Sequence, residues 1–349
     1  MAERVPTQVL EALLRAVPEA ALVLGSDFRL IAANPAVTSL LPALRTGELL
    51  VRGLRSPDIL EAITHAFASR KPQKVQWRER VPLERLFDVY IAPIEVAGLP
   101  GMLMLTLRDV SEMRRGERMR VDFVANVSHE LRTPLTSVLG FVETLQGPAR
   151  NDPVARDRFL SIMGEQARRM SRLVDDLLSL SRIEQSAHLQ PPTIVDLSSI
   201  AGHVVDTLAP MADENETQIV LHAEKPVMVR GDRDELVRVA ENLIENAIKY
   251  GASEKPIEVA VSLRDRDAIL IVRDHGAGIA PEHLPRLTER FYRVDVGESR
   301  AKGGTGLGLA IVKHILARHR GRLTVESSFG QGATFSAILP LPDAQGQKS

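Results

Sequence analysis

The sequence predicts a multidomain α+β protein: an N-terminal α/β module, a two-helix hairpin forming a dimeric four-helix bundle, and a C-terminal α/β sandwich. Three observations carry this expectation. Up to Asp109, short apolar runs alternate with turn residues; from Ser111 a charged helical stretch carries a heptad-like apolar seam; beyond Gln190 strand-like and helix-like segments interleave. A chain of 349 residues suffices for two or three domains, each with its own core. The formal charge of -1 argues against a strongly basic nucleic-acid surface. The best apolar run, Leu99 to Leu107, falls far short of the roughly 18 residues a membrane span needs. The first six residues, Met-Ala-Glu-Arg-Val-Pro, lack the apolar segment of a signal peptide. Cysteine is absent, which excludes disulfides and thiolate metal sites and suits a reducing cytoplasm.

In the first module, residues 1–110, strands are expected at Ala20 to Leu24, Phe28 to Ala32, Lys74 to Arg80, Phe87 to Ile94 and Met102 to Arg108. Thr7 to Ala16 and Pro57 to Ala68 read as helices. In the second part, residues 111–187, Val124, Val127, Leu131, Leu135, Val138, Val142 and Leu145 recur at intervals of three and four, the seam of a coiled coil or bundle. Gly147, Pro148, Asn151, Asp152 and Pro153 interrupt it. A second helix then carries Leu160, Met163, Ala167, Met170, Val174 and Leu177 on one face. An isolated pair of helices cannot bury both stripes, so a four-helix bundle formed by a homodimer is the economical solution.

Gln190-Pro191-Pro192 marks a linker into the third part, residues 188–343, before a short tail, residues 344–349. Strands are expected at Ile219 to His222, Ile257 to Leu263, Ala268 to Arg273, Arg322 to Ser327 and Thr334 to Leu339. Helices are expected at Ser198 to Leu208, Glu235 to Tyr250 and Leu307 to Arg318.

Chemistry concentrates in two places. Val127 to Thr136 reads Val-Ser-His-Glu-Leu-Arg-Thr-Pro-Leu-Thr and puts His129 off the apolar seam, on the polar side of a helix. Neutral imidazole is a good nucleophile near neutral pH. Adjacent Glu130 is the candidate to hydrogen-bond one ring nitrogen and sharpen the other. Thr133, one turn on, lies over the same face. Pro134 leaves the Glu130 carbonyl without its usual donor, so a local kink is expected. No His-x-x-x-His pair suggests a metal site, and His314 and His319, five apart, diverge on a helix.

The second concentration lies in the last third. Asn242 and Asn246 stand one turn apart; the amide oxygen of Asn246 suits Mg²⁺, Lys249 can meet phosphate charge and Tyr250 offers a ring to a base. Asp274-His-Gly276-Ala-Gly278 follows a strand, where glycines let the backbone approach a ligand while the carboxylate accepts a hydrogen bond. The run Gly303-Gly304-Thr305-Gly306-Leu307-Gly308 opens a helix, a ready phosphate site. A Walker A loop would need lysine after its last glycine, and a dinucleotide fingerprint would need Gly or Ala where Ile311 stands; both readings fail.

These segments, in this order, resemble the sensor histidine kinases of two-component systems. The His129 run matches that family's phosphoacceptor box, with Phe123 as its upstream aromatic. The later segments resemble the ATP-binding domain shared with gyrase-type ATPases and related chaperones, and Phe291-Tyr-Arg293 resembles the aromatic box beside its lid. Residues up to Asp109 resemble a PAS sensor domain, most visibly at Phe28 to Pro35 and Arg108 to Glu112. Within the family, Arg118 to Phe123 and Gly140 to Leu145 look closest to phosphate-regulon-type sensors.

The resemblance implies autophosphorylation of His129 from ATP and Mg²⁺, transfer to an aspartate of a response regulator receiver domain, and a phosphatase role for Thr133. It implies contacts from Asn242, Asn246, Lys249, Tyr250, Asp274, Gly276, Gly278, Gly304, Thr305, Gly306, Leu307 and Gly308 to nucleotide. Hydrolysing relatives place a glutamate where Asn242 stands, with Glu241 and Glu245 off that register, so transfer is favoured over an ATP hydrolase. A non-catalytic PAS-mediated dimeric scaffold is the other alternative. Sensors of the phosphate-regulon type usually carry N-terminal membrane spans; this chain has none, so the expected location is cytoplasmic, or membrane-associated if spans are missing.

Overall fold

Pairs of apolar strands and amphipathic helices account for two compact units, the first ending at Val124 and the second beginning at Ala125. The computed structural model describes residues 7–79, 84–95, 101–186, 189–223, 225–251, 255–295 and 304–342. Arg80, Gly303 and the tail from Asp343 lie outside the described residues.

The first unit contains α1 (Thr7–Arg15), β1 (Ala20–Gly25), β2 (Leu30–Ala33), α2 (Pro35–Leu40), α3 (Pro57–Ser69), β3 (Gln73–Glu79), β4 (Arg85–Ile94) and β5 (Met102–Asp109). Its strands form one antiparallel sheet in the order β2-β1-β5-β4-β3. Alternation decides the face: Phe87, Val89 and Ile91 of β4 turn inward, as do Leu103, Leu105 and Leu107 of β5. Against them pack Ile59, Ile63 and Ala66 of α3, spaced at four and three. Each such buried aliphatic side chain contributes roughly 1.5–3 kcal/mol.

Helix α2 was not among the expected elements, although Asn34-Pro35 is a helix start: asparagine caps and proline occupies the first turn. Asn34 is a buried hub. Its Nδ2 donates to the carbonyls of Leu14 at 3.3 Å, Val17 at 3.1 Å and Glu19 at 2.7 Å. Its Oδ1 accepts from the amides of Ala21 at 3.1 Å and Val37 at 3.2 Å. One side chain thus pins the end of α1, the start of β1 and the start of α2.

Helix α4 (Ser111–Gln146) continues through Pro134 without interruption, so the expected kink does not end the helix. Helix α5 (Pro153–Gln185) starts where the breaker residues predict, with Asp152 accepting from the amides of Val154 and Ala155. Near the turn, Phe141 and Phe159 stack across the two helices with ring centroids 5.0 Å apart. Leu135 and Leu139 of α4, and Leu160, Val174 and Leu178 of α5, remain exposed.

The rest of the second unit comprises β6 (Ile194–Asp196), α6 (Leu197–Glu214), β7 (Ile219–His222), β8 (Met228–Arg230), α7 (Arg233–Tyr250), β9 (Ile257–Arg264), β10 (Asp267–Arg273), α8 (Gly308–Arg318), β11 (Arg322–Ser327) and β12 (Ala333–Pro340). Its main sheet runs β11-β12-β10-β9-β7, antiparallel except for the β7–β9 pair. The three helices layer on this sheet: β9 buries Ile257 and Val259, β10 buries Ala268, Leu270 and Val272, and α7 buries Leu243 and Ala247. Helix α6 extends past its expected end at Leu208, through Pro210, because Ala212 continues the buried face.

His319 closes this layer. It is fully buried, its Nδ1 lies 2.8 Å from the Ile315 carbonyl, and its Nε2 accepts from the Asp232 amide at 3.0 Å. A carbonyl only accepts, so Nδ1 carries the proton and the ring is neutral. Burial lowers its pKa accordingly.

Removing the Asn34 hub leaves buried carbonyls and amides without partners. Asn34→Ala is expected to cost about 2–3 kcal/mol. Trp77, the single tryptophan, stacks on Phe87 at 5.1 Å and reports on this unit. A denaturation midpoint unchanged by the substitution, followed by Trp77 fluorescence, would contradict the hub.

Candidate active site

Helix α7 has two faces. Leu236, Val239, Ala240, Leu243, Ile244, Ala247 and Ile248 are buried. Arg238, Glu241, Asn242, Glu245, Asn246 and Lys249 form the opposite stripe and line a cavity of about 430 Å³. Tyr250, Asp274, Gly278, Gly304, Thr305, Gly306 and Gly308 line the same cavity, so the three separate segments of the sequence converge on it. Gly276 and Leu307 do not line it. Gly276 supports the wall from behind, since a Cβ there would lie 2.0 Å from the Tyr250 carbonyl oxygen. Leu307 is buried and precedes the first residue of α8.

Asp274 sits just past the end of β10, 5% exposed. Its Oδ1 accepts from the amides of Gly276 at 2.9 Å and Ala333 at 3.3 Å. Burial raises its pKa, and these two amides pull the other way. Gly278 has φ +71 and its absent Cβ would meet the Ser328 carbonyl at 2.2 Å, so this position accepts glycine alone.

At the other end of the cavity, α8 starts without a side-chain cap, which leaves its first amides for a ligand. Thr305 Oγ1 is held by Asp176 Oδ2 at 2.8 Å, and the Leu307 amide donates to Thr305 Oγ1 at 3.3 Å. Asn242 turns its Nδ2 back to the Arg238 carbonyl at 2.8 Å, and its Oδ1 lies where a Gly308 Cβ would be, at 2.3 Å. Lys249 pairs with Glu245 at 2.6 Å. Burial raises the pKa of Glu241, with the nearby charge of Glu245 adding to it.

His129 is exposed on α4 and does not line the cavity; nor does Thr133, whose hydroxyl donates to the His129 carbonyl at 3.2 Å. Glu130 turns away from the expected role. Its Oε2 accepts from Arg169 of α5 at 3.1 Å and from Arg293 at 3.0 Å. Neighbours at i+1 diverge by about 100° around a helix, which sends this carboxylate toward α5. Arg293 lines the cavity as well, so it joins the helix that carries His129 to the cavity.

Sequence reasoning assigned no role to Arg238, and read Glu241 and Glu245 as off the register of a water-activating glutamate while leaving open that they help activate His129, yet extending the i, i+3, i+4 stripe of Asn242 and Asn246 would have placed all three on the cavity. It missed Arg172, Asp175 and Asp176 of α5, which complete the wall. Asp176 also accepts from Arg238 at 2.8 Å.

The donor set fits a magnesium ion held mainly by phosphate oxygens and water: two amide oxygens, on Asn242 and Asn246, line the cavity, and no three-residue His, Cys, Asp or Glu cluster that could hold a metal ion occurs among the described residues.

Two family models match. Residues 119–186 match the His Kinase A (phospho-acceptor) domain, and residues 231–343 match the histidine kinase-, DNA gyrase B- and HSP90-like ATPase. The phosphate regulon sensor protein PhoR of Pseudomonas aeruginosa is 40% identical over 246 residues, which are 70% of this chain and 56% of PhoR. The sensor protein SrrB of Staphylococcus aureus is 31% identical over 322 residues, 89% of this chain and 55% of SrrB. The chain therefore spans little more than half the length of these relatives. A solved structure of histidine kinase ThkA in complex with the response regulator TrrA is similar in fold, with TM-score 0.51 and 21% identity, covering 98% of this chain and all of that one. With a phospho-acceptor domain that contains His129 and an ATPase domain of the gyrase and HSP90 type that supplies most of the cavity wall, the chain belongs to the sensor histidine kinases of two-component systems.

Proposed function

We propose that this chain uses ATP to phosphorylate His129 and passes the phosphoryl group to an aspartate on the receiver domain of a response regulator. The observation that carries this reading is the Glu130–Arg293 ion pair, which ties the residue beside His129 to the wall of the ATP-type cavity. In the forward step an imidazole nitrogen attacks the terminal phosphorus while the bridging P–O bond breaks and ADP leaves. The proton on the other ring nitrogen then passes to a base. Glu130 can serve only once it is released from Arg169 and Arg293.

Asp274 is positioned to accept from an exocyclic amine of the base, with Gly276 and Gly278 keeping the wall close. Gly304, Thr305, Gly306, Leu307 and Gly308 would hold phosphate through backbone amides at the start of α8. Lys249 would meet phosphate charge and Tyr250 the base. Asn246 would hold Mg²⁺, with Asn242 beside it; a bound magnesium ion neutralises polyphosphate charge.

The exposed apolar residues of α4 and α5 support a homodimer through the hairpin, where a second copy would cover Leu135, Leu139, Leu160, Val174 and Leu178. The antiparallel sheet of the first unit supports a PAS-like sensor module over residues 1–110, followed by the hairpin over 111–187 and the ATP-binding domain over 188–343. Among the described residues no helix is long and apolar enough to cross a membrane.

Thr133 sits one turn from His129, where a hydroxyl can orient water for the reverse reaction, removal of phosphate from the regulator.

Incubation with γ-labelled ATP tests the forward reaction. His129→Gln is expected to abolish acid-labile labelling of the chain, and persistent labelling, or phosphate release with no phosphohistidine in the unaltered protein, would overturn it. For the reverse reaction, Thr133→Ala is expected to slow dephosphorylation of a phosphorylated receiver at least tenfold while self-labelling persists. Dephosphorylation at the original rate would remove Thr133 from that role.

A further inference from the structure

We infer that a second cavity, between α8 and the edge strand β11, is a docking site for an extended, acidic polypeptide segment of a partner protein, which adds to β11 as a further strand. This cavity shares no lining residue with the nucleotide cavity, and the inference is independent of the phosphoryl-transfer reading.

The main sheet ends at β11, which pairs with β12 on one side and with no described strand on the other. An edge strand presents a row of unpaired main-chain donors and acceptors. The inward face is left open here too. Leu323 and Val325 stand opposite Ala337 and Phe335 of β12, so all four share the face that meets the helices. Ala337 and Phe335 are buried, as are the inward residues of β9 and β10, yet Leu323 and Val325 stay partly exposed. Inward-pointing charges are one way in which natural edges are guarded, and these two positions are aliphatic.

This uncovered aliphatic face opens into a cavity of about 430 Å³. Lys313 and Ala317 of α8, one helical turn apart, line it together with Leu284 and Thr288. Lys313 is exposed; its ammonium lies 3.4 Å from Thr288 Oγ1 and makes no ion pair among the described residues. Arg322 also lines the cavity, bonded to Asp267 through Nη2 alone and with 64% of its side chain exposed. Among the described residues no Asp or Glu lines it. The site therefore combines an apolar floor, two cations and a free strand edge.

These features select the occupant. A free edge is satisfied by a main chain, which a small carboxylate does not supply. The cavity takes an aliphatic side chain of that added strand, which removes from water the surface that Leu323 and Val325 now expose. Residues two apart on an extended chain share a face, so a carboxylate two positions from the aliphatic residue lies on the same side, toward Lys313 and Arg322. A basic segment meets the same two cations and is repelled. A second copy pairing through its own β11 brings another Lys313 and Arg322 to the junction, and this like charge disfavours it. The partner segment is therefore extended, with aliphatic and acidic residues two apart.

Amide hydrogen exchange of the full chain, resolved by residue, tests this. The probe is an end-capped peptide of alternating valine and glutamate; a valine–lysine peptide, a fully N-methylated form of the probe and hexanoate serve as comparisons. The glutamate peptide is expected to bind saturably and to slow exchange within Arg322–Ser327. The lysine and N-methylated peptides should bind about tenfold more weakly or worse, and hexanoate should leave β11 exchange unchanged. Lys313→Glu, at an exposed position, should keep the unfolding temperature of the unaltered protein and weaken the glutamate peptide about fivefold. No slowing within β11, equal binding of the lysine or N-methylated peptide, equal protection by hexanoate, or undiminished binding to Lys313→Glu would each overturn the inference. Protection of β11 that grows with protein concentration in the absence of peptide would assign the edge to a second copy and overturn it as well.

Discussion

Everything at the site depends on one helix satisfying two solvents at once. Helix α7 must bury an aliphatic face against β9 and β10 and must leave its other face polar over an open cavity. The helical period enforces the division: residues 239, 240, 243, 244, 247 and 248 fall inward, while 238, 241, 242, 245, 246 and 249 fall together on the far side. Burial of the first set fixes the rotation of the helix about its axis. That rotation aims Asn242, Asn246 and Lys249, so the packing of the core and the geometry of the site are one constraint.

The same reasoning explains what was legible in the sequence. Periodicity located the strands of both sheets and the helices that flank them, because each of those elements has one apolar face. Asn242, Asn246, Asp274 and the glycines of 304–308 were legible as well, since each belongs to a short contiguous motif. Contacts between distant segments were not. Asp176 meets Arg238 and Thr305 across 62 and 129 residues of chain, and Glu130 meets Arg293 across 163. No local pattern encodes such pairings. The short strands β6 and β8 were missed because three residues carry too little alternation to register, and α2 was missed although its Asn-Pro cap was in view.

Glu130 shows how adjacency in sequence can suggest a partner that the helix turns away from. Adjacency in sequence suggested the ring of His129, but adjacent residues on a helix point in different directions. The carboxylate instead joins α4 to α5 through Arg169 and to the cavity through Arg293. Asp176 does the equivalent on α5, where its two oxygens take Arg238 of α7 and Thr305 of the glycine-rich segment. The hairpin thereby contributes two carboxylates to a junction whose opposite side is cationic, and a polyphosphate entering the cavity competes with both for the same cations.

His319 has a consequence of a different kind. Its Nε2 lone pair holds the Asp232 amide, and Asp232 in turn caps α7, so the placement of the whole polar stripe relies on an uncharged ring. Protonation of Nε2 would convert that acceptor into a donor facing an N–H. Because burial holds the folded-state pKa below the ordinary value of 6.5, the unfolded chain binds the extra proton more readily than the folded one. This contribution to stability is complete above that ordinary value and drains away as the medium acidifies toward the lowered folded pKa. The start of α7 thus has a built-in weakness to mild acid, set by a residue outside the cavity wall.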